Sequence, residues 1–337
     1  MKTKIIVRVI YFTENGSRLF EKIDTCCDNL LLQDTNKDID VSSQVQQAFE
    51  LHTPLVFIGA VGIAIRYIVP FVRDKLTDIP VVVIDELGMH VIPILSGHYG
   101  GANYLAKHIA TAIGSEAVIT TATDINGVFA IDEFARINGF RIYDKSSIKN
   151  ISARLLAGEQ IKVKCESNAI MAGAIYDKIV LTDSGSADII IADEKRDGFT
   201  VIPKYLVFGM GCKKGKTFRE LLDFVTQKYE EDYLKDNLYA IATIDAKENE
   251  EGLLLLAAYL GAKFIVFSAD ELAALKGDYS KSEFVNDTVG VDNVCERAAV
   301  LGAGLTDKEL LCEKCAYNGM TLAVAKRKLV IDWDIIR

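Results

Sequence analysis

Short runs of consecutive apolar residues recur along the chain, and they constrain its fold more than any other feature. The segments KIIVRVIYF, PLVFIG and IPVVVIDE are rich in Val and Ile and do not alternate with polar residues. Such runs are typical of strands that are buried on both faces of a sheet. Stretches with apolar residues at helical spacing, such as GANYLAKHIATAIG, lie between them. This alternation predicts an α/β protein with mainly parallel sheets.

The pattern changes twice along the chain, so we predict two separate α/β domains joined by a small α/β middle domain. A chain of 337 residues is too long for one ordinary hydrophobic core. The segment after about residue 135 is more polar, and a fresh pattern of strands and helices begins after Tyr205. The predicted domains are residues 1–134, residues 135–203 as a middle domain or structured linker, and residues 204–337.

The charge balance limits the classes of partner. Lys and Arg number 38 against 47 Asp and Glu, and the net charge of -9 argues against a general nucleic-acid surface. A polyanionic small molecule would still bind if positive charge is concentrated locally. The most apolar run, residues 55–72, contains Arg66 and is broken by Pro70, and both argue against insertion in a membrane.

The cysteines and histidines show no metal-binding spacing. Seven scattered cysteines and no recognisable signal peptide predict a cytoplasmic protein with free thiols. The close pair Cys312 and Cys315 lacks the two further ligands that a structural zinc site needs. Four histidines without close pairing likewise argue against a metal site built by the protein.

The segment LVFGMGCKKGKTF, residues 206–218, ends in Gly-Lys-Thr after an apolar run, like a nucleotide-binding loop. The nucleotide-binding spacing requires glycine at position 210, where this chain has Met210. A glycine-rich turn between a strand and a helix still offers backbone amides to an anion, with lysines beside them. The alternative is an ordinary helix start, with Thr217 and Glu220 forming a capping box and the lysines solvated. The residues of the predicted carboxylate or phosphate site are Gly209, Gly211, Cys212, Lys213, Lys214, Gly215 and Thr217.

The segment VIPILSGHYGGANYLAKHIA contains the densest set of polar candidates. Its polar residues follow a strand, and open α/β sheets bind ligands at the carboxyl ends of their strands. We expect TTATD, after a later strand, and the glycines and arginine after PLVFIG to open on the same crevice. The predicted substrate-binding residues are Ser96, Gly100, Gly101, Asn103, Thr120, Thr121, Asp124, Gly59, Gly62 and Arg66.

Three residues are candidates for general acid or base catalysis. His98 would titrate near neutral pH, and the alternative is a histidine that bonds the backbone and fixes the turn. Asp85 lies in a tight turn, where Asp is common for conformational reasons alone. Glu250 lies at a helix start just past a strand, where a capping role explains it equally well. Asp245 and Lys247 lie beside it and are predicted to bind substrate.

Together these motifs resemble the CbiG family, the cobalt-precorrin-5A hydrolases of anaerobic cobalamin synthesis. The resemblance is carried by FIGAVGIAIRYI, VVVIDELGMHVIPILSGHYGGANYLAKHIA and VITTATD in the first domain. It continues with FGMGCKKGKT, ATIDAKENEEGLLLLA, FSADEL and GVDNVCERAAVLGAG in the last domain, which resembles the stand-alone CobE proteins. The match covers about residues 54–126 and 205–325, whereas the middle segment matches only in position and length.

The resemblance implies an enzyme that uses water to open the δ-lactone of a ring-contracted cobalt corrinoid intermediate. The family releases the extruded two-carbon fragment as acetaldehyde and forms cobalt-precorrin-5B, the activity of a hydrolase acting on a carbon–carbon bond in a ketonic-type substrate. We expect His98 to be the base that activates water, with Asp85 and Glu250 as alternatives. A non-catalytic carrier of corrinoid intermediates is the alternative function.

The resemblance also sets the expected cofactors and partners. Cobalt arrives inside the substrate, so no cofactor is expected. The many carboxylates of the macrocycle suit the lysine-rich loop and Arg66. Neither nucleic acid nor membrane is an expected partner, and transient contact with other enzymes of the cobalamin pathway stays open.

Overall fold

Strands and helices alternate from the start of the chain, and the predicted α/β class with mainly parallel strand pairing is confirmed. The computed structural model describes residues 2–34, 40–280 and 293–334. The N-terminal elements are β1 (Lys2–Tyr11), α1 (Glu14–Cys26), β2 (Leu30–Asp34), α2 (Val41–Glu50), β3 (Leu55–Ile58), α3 (Val61–Ile68), β4 (Val81–Ile84), β5 (His90–Leu95), α4 (Ala102–Ile113), β6 (Glu116–Ala117) and α5 (Ala122–Ile125).

The N-terminal half-sheet changes direction at β5. Strands β1 to β4 are mutually parallel, and all residues of β3 and β4 are buried, as the unbroken apolar runs predicted. The predicted pair of strands around the turn at Asp85 is confirmed, because β5 pairs with β4 in antiparallel register. Since β6 is parallel to β5, the carboxyl ends of β5 and β6 lie at the opposite edge from those of β1, β3 and β4.

The C-terminal elements form a second half-sheet in the order β16-β17-β13-β14-β15. Its β15 pairs in antiparallel register with the start of β1, where Lys2 lies opposite Val266, and this pairing joins both halves into one 11-stranded sheet. Strands β13, β14 and β15 therefore run in the same direction as β5. The elements are β13 (Leu206–Cys212), α8 (Phe218–Thr226), α9 (Glu231–Asn237), β14 (Leu238–Ile244), α10 (Glu251–Tyr259), β15 (Lys263–Phe267), α11 (Ala269–Ala273), α12 (Val294–Gly302), β16 (Cys312–Tyr317), β17 (Met320–Lys326) and β18 (Leu329–Asp332).

The middle of the chain forms a separate five-stranded sheet in the order β10-β8-β11-β12-β7. The last strand, β18, leaves the C-terminal half and pairs in parallel with β9. The elements are α6 (Ile131–Asn138), β7 (Phe140–Ile142), α7 (Lys145–Leu156), β8 (Ile161–Cys165), β9 (Ala169–Ala172), β10 (Ile179–Leu181), β11 (Ile189–Ile191) and β12 (Thr200–Pro203).

The end of the chain fixes the position of α6. Trp333 is buried in the core of the middle region and packs on Phe134 of α6, with 4.6 Å between ring centroids. The side-chain amide of Asn138 bonds the backbone of Asp332 in both directions, at 3.0 and 2.8 Å. The middle core thus includes side chains outside residues 135–203, and those domain boundaries stay a prediction.

Among the helices of the described residues, none combines the length and the apolar character needed to cross a bilayer. The most apolar run of the sequence is divided between strand β3 and helix α3.

Candidate functional site

The turn after β5 brings a glycine against an arginine. Gly101, the N-cap residue just before α4, has a positive φ of 93°. A Cβ at this position would lie 3.3 Å from the guanidinium of Arg136, so glycine provides both the backbone conformation and the space. Arg136 donates from Nε to the carbonyl oxygen of His98 at 3.0 Å. The turn is therefore held by a side chain of α6 from the middle region.

His98 lies between two carboxylates. Its Nε2 is 2.7 Å from Oδ2 of Asp124, and its Nδ1 is 3.4 Å from Oδ1 of Asp132. The three side chains are only 10%, 10% and 9% exposed, respectively. The hydroxyl of Thr123 lies 3.3 Å from Nε2. Both ring nitrogens thus face an acceptor, an arrangement that suits the doubly protonated imidazolium.

The charges of this cluster set its protonation. Burial disfavours the charged imidazole, but hydrogen bonds and attraction to Asp124 and Asp132 outweigh it and raise the pKa of His98 to about 9. Burial likewise disfavours the ionised Asp124, yet hydrogen bonds from His98 and Lys107 lower the pKa of that carboxyl to about 2. At pH 7 the ring is therefore charged. This form differs from the neutral imidazole that general base catalysis requires, and it suits proton donation.

Helix α4 supplies further donors to Asp124. The amide of Asn103 donates to Oδ2 of Asp124 at 2.9 Å and to the hydroxyl of Thr121 at 3.0 Å. Lys107, which is largely exposed, donates to Oδ1 of Asp124 at 2.8 Å. The structure thus brings together the predicted residues His98, Asn103, Thr121 and Asp124 from separate segments of the chain.

The other predicted residues of this turn lie beside that cluster. Ser96 has a positive φ of 56°, and its hydroxyl is buried without a hydrogen-bond partner among the described residues. Gly100 gives the hydroxyl its space, since a Cβ there would lie 2.3 Å from Oγ of Ser96. Thr120 is exposed just before α5.

Helix α6 contributes three charged residues that the sequence analysis missed. Besides Asp132, it carries Glu133, and burial raises the pKa of the Glu133 carboxyl despite Arg136 nearby. The Nη2 of Arg136 lies 3.8 Å from Glu133 and is buried, with no hydrogen-bond partner among the described residues. The available signal was a group of charges within the apolar stretch VFAIDEFARI, which says nothing about what those charges face.

Part of this cluster has the spacing of a metal site. His98, Asp124 and Glu133 offer ligand atoms that lie within 4.8 Å of one another. A cation would have to displace the proton from Nε2 of His98 and compete with Lys107 for Asp124. These contacts favour an ion-pair cluster, and the absence of a protein-built metal site stays a prediction.

Four predicted residues lie at the opposite edge of the sheet, after β3 and β4: Gly59, Gly62, Arg66 and Asp85. The six residues of β5 separate the hairpin turn from the turn at His98, about 20 Å at the usual rise per residue. The expectation of one shared crevice is therefore wrong for Gly59, Gly62 and Arg66, because β5 runs against β3 and β4. Their individual binding roles stay predictions.

Asp85 closes the β4–β5 hairpin. Its carboxylate accepts hydrogen bonds from the backbone amides of Leu87 at 3.0 Å and His90 at 2.6 Å. Although burial opposes ionisation, these amides lower the pKa of Asp85. A conformational role accounts for its presence in the turn.

The donors of the loop after β13 are largely taken by the protein's own carboxylates. Glu250 accepts from the amide of Gly215 at 2.6 Å and from Nζ of Lys247 at 2.8 Å. The predicted capping box is confirmed, since Thr217 and Glu220 bond each other's backbone amides at the start of α8. The loop therefore resembles an anion site in which the carboxylates of Glu250 and Glu220 take the place of a ligand.

Packing explains the two glycines of β13. A Cβ on Gly209 would lie 1.8 Å from the carbonyl oxygen of Cys295, and one on Gly211 would lie 2.9 Å from Oγ1 of Thr321. Cys212 is half-buried, and burial raises its pKa to about 11. Lys213, Lys214 and Asp245 stay exposed in or beside the loop.

The two glycine-bearing turns leave the sheet in the same direction but lie far apart. Six strand spacings separate β5 from β13, which is about 29 Å along the sheet. One ligand that contacts both turns would have to span this distance. The denser chemistry lies at the first turn, where an imidazolium, three carboxylates and an arginine converge.

Comparisons with known proteins agree along most of the chain. Family models described as cobalamin synthesis G N-terminal, cobalamin biosynthesis central region and cobalamin synthesis G C-terminus match residues 43–124, 129–184 and 206–325. The first match contains His98 and Asp124, and the second contains Asp132, Glu133 and Arg136.

Similar proteins include two cobalt-precorrin-5A hydrolases and one solved structure. The chain is 32% identical over 310 residues to the cobalt-precorrin-5A hydrolase of Salmonella typhimurium, covering 84% of each chain. It is 30% identical over 299 residues to the cobalt-precorrin-5A hydrolase of Priestia megaterium, covering 82% of this chain and 79% of the relative. The crystal structure of a cobalamin biosynthesis protein G homolog from Sulfolobus solfataricus is 18% identical with a TM-score of 0.43, covering 96% of this chain and 97% of that one.

Proposed function

The chain belongs to the CbiG family of cobalamin biosynthesis proteins, and on this premise we propose that it is a cobalt-precorrin-5A hydrolase. Its substrate is the ring-contracted cobalt corrinoid that carries a δ-lactone between a ring A acetate and the extruded meso carbon. Water opens the lactone, acetaldehyde leaves, and cobalt-precorrin-5B is the product. The observation that carries the proposal is His98, held between Asp124 and Asp132 within regions that match the family.

The first step is attack of water on the lactone carbonyl. The developing oxyanion needs positively charged or polarised donors in a site with little water. The His98 imidazolium and Nη2 of Arg136, which has no hydrogen-bond partner among the described residues, are such donors. His98 then protonates the oxygen that leaves the carbonyl carbon, so the ester bond breaks to a carboxylic acid and an alcohol.

A carboxylate of the same cluster takes the proton from water. Glu133 fits this role better than Asp124, because burial raises the pKa of Glu133 whereas the pKa of Asp124 is lowered to about 2. Neither sequence alternative for the base, Asp85 or Glu250, lies near His98. Asp85 is at the other end of β5, and Glu250 is bonded to Lys247 and Gly215 in the C-terminal half.

The second step releases the two-carbon fragment. The new hydroxyl at the meso carbon loses its proton, a carbonyl forms, and the bond from this carbon to the macrocycle breaks. The macrocycle and its cobalt accept the electron pair, and the ring carbon is then protonated. One water is consumed for each acetaldehyde released.

The surroundings of the cluster suit a substrate with many carboxylates. Lys107 and Lys75 reach it from the N-terminal half, and their side chains are 55% and 48% exposed. Each combines one contact to a cluster carboxylate with access to solvent, so each can also meet a peripheral carboxylate of the macrocycle. Lys213 and Lys214 would serve a distant side chain of the substrate only if the macrocycle reached the second turn.

The experiment that tests the proposal measures acetaldehyde over time with the lactone-bearing cobalt corrinoid as substrate. Purified protein should release many equivalents of acetaldehyde per protein chain and produce a corrinoid with one more free carboxyl group. The alternative, a carrier of corrinoid intermediates, would bind the substrate and release none. Tight binding without any acetaldehyde would therefore replace the hydrolase with the carrier.

A chelator should leave the activity unchanged. His98 and Lys107 already neutralise Asp124, so we expect protein dialysed against EDTA to release acetaldehyde at its original rate. The substrate is added only after dialysis, so the chelator does not meet the cobalt in its macrocycle. Loss of activity that returns with a divalent cation would show instead that His98, Asp124 and Glu133 hold a catalytic metal.

A further inference from the structure

We propose that Asp132 is the positioning residue of the site: from α6 it holds Nδ1 of His98 and thereby fixes the orientation of the imidazole that protonates the leaving oxygen. The middle region of the chain would then be part of the hydrolytic centre and more than a linker. This inference rests on the proposed function. It also predicts how the pKa of His98 depends on Asp132, which can be measured without substrate.

The geometry separates the two carboxylates that flank His98. Asp124 lies against Nε2 and also accepts hydrogen bonds from Asn103 and Lys107. Asp132 approaches Nδ1 at 3.4 Å, and its side chain is only 9% exposed. Its other charged contact is Lys75, at 3.5 Å and half-exposed. A second carboxylate on the far nitrogen fixes the plane of an imidazole and the position of its proton, as in other histidine–carboxylate pairs.

The support for Asp132 comes from remote packing. Phe134, two residues along α6, lies against Trp333 at the end of the chain, and Asn138 bonds the backbone of Asp332. Arg136 of the same helix donates to the carbonyl of His98. Helix α6 is thus bound both to the end of the chain and to the turn that carries His98. These contacts hold the carboxylate of Asp132 beside the imidazole.

The expected pH dependence follows from every charged group that faces His98. Burial lowers the pKa of His98, the carboxylates raise it, and the result is about 9, so the imidazolium is present below about pH 9 and lost above it. Without the charge of Asp132, the pKa of His98 falls by about one unit or more. The facing groups are Asp124 of α5, Asp132, Glu133 and Arg136 of α6, Lys107 of α4, and Lys75.

The test compares Asp132→Asn with the wild type from about pH 6 to about pH 10. Two quantities are measured on the full-length chain: kcat for acetaldehyde release, and the His98 titration followed by NMR of labelled imidazole. We expect the alkaline limb of kcat and the NMR titration of His98 to move together to lower pH by about one unit or more. Asp132→Glu, which keeps the negative charge, should bring both transitions part of the way back to the wild-type pH.

Asp188→Asn is the matched control, because Asp188 also lies in the middle region but pairs with Arg154, at 2.6 Å. It should leave both pH curves of His98 in place. If Asp132→Asn lowers the amplitude of kcat but moves neither curve, Asp132 is merely structural and the inference is wrong. If the wild type releases no acetaldehyde, the proposed function fails, and the NMR titration alone decides whether Asp132 controls His98.

Discussion

Replacement of His98 by Gln is expected to reduce the rate of acetaldehyde release by ~100-fold or more. Gln keeps a polar side chain of similar length, but it carries no positive charge and has no proton to give to the leaving oxygen. Both proposed contributions of His98, charge opposite the oxyanion and acid catalysis, are therefore lost at once. The measurement is kcat at pH 7 on protein whose circular dichroism matches the wild type.

His108→Gln is the matched control for this variant. His108 lies in α4, close in sequence to His98, but its Nε2 contacts Oδ1 of Asn29 at 2.5 Å instead of a carboxylate. The control should retain a rate within about twofold of the wild type. Equal rates for His98→Gln and the wild type would remove the histidine from the mechanism, and another group of the cluster would have to supply the proton.

Replacement of Gly209 by Ala is expected to destabilise the C-terminal half by about 3 kcal/mol or more. The added Cβ would lie 1.8 Å from the carbonyl oxygen of Cys295 and 2.6 Å from the amide nitrogen of Ala299, both backbone atoms of α12. Backbone cannot turn away as a flexible side chain can, so α12 has to move off the buried strand β13. Thermal unfolding should show a midpoint lower by about 6 °C or more.

Gly62→Ala is the stability control. Gly62 lies in α3, and a Cβ there would meet nothing within 4 Å. Alanine in a helix is more favourable than glycine by up to about 1 kcal/mol, so this variant should be as stable as the wild type or slightly more stable. An unchanged midpoint for Gly209→Ala would show that β13 and α12 do not pack as described, and would return Gly209 to the candidates for ligand binding.

The pattern of the sequence was reliable where the cause is local. The runs VVVI and LVFI predicted strands buried on both faces, because the period of apolar residues depends only on neighbours along the chain. The hairpin turn at Asp85 and the capping box of Thr217 and Glu220 were predicted for the same reason. Each is decided by a few consecutive residues and their backbone conformation.

The crevice was predicted only in part. The sequence identified His98, Asn103, Thr121 and Asp124, and the structure places them in contact. It also grouped them with Gly59, Gly62 and Arg66 after β3, which lie at the other edge. The direction of β5 made that difference. The hairpin turn at Asp85 already requires β5 to run against β4, so the carboxyl end of β5 lies at the opposite edge, and the expectation of one crevice overlooked this reversal.

By itself, the sequence determined the elements, their buried faces, the family resemblance and some of the polar residues around His98. Only the tertiary structure decided that Asp132 and Arg136 meet that histidine and that Glu250 fills the lysine-rich loop. The physical reason is that the contacts of a charged side chain depend on how its helix or strand packs against the rest of the protein, which the sequence does not state. Here that packing includes Trp333 at the far end of the chain, which holds α6 against the turn that carries His98.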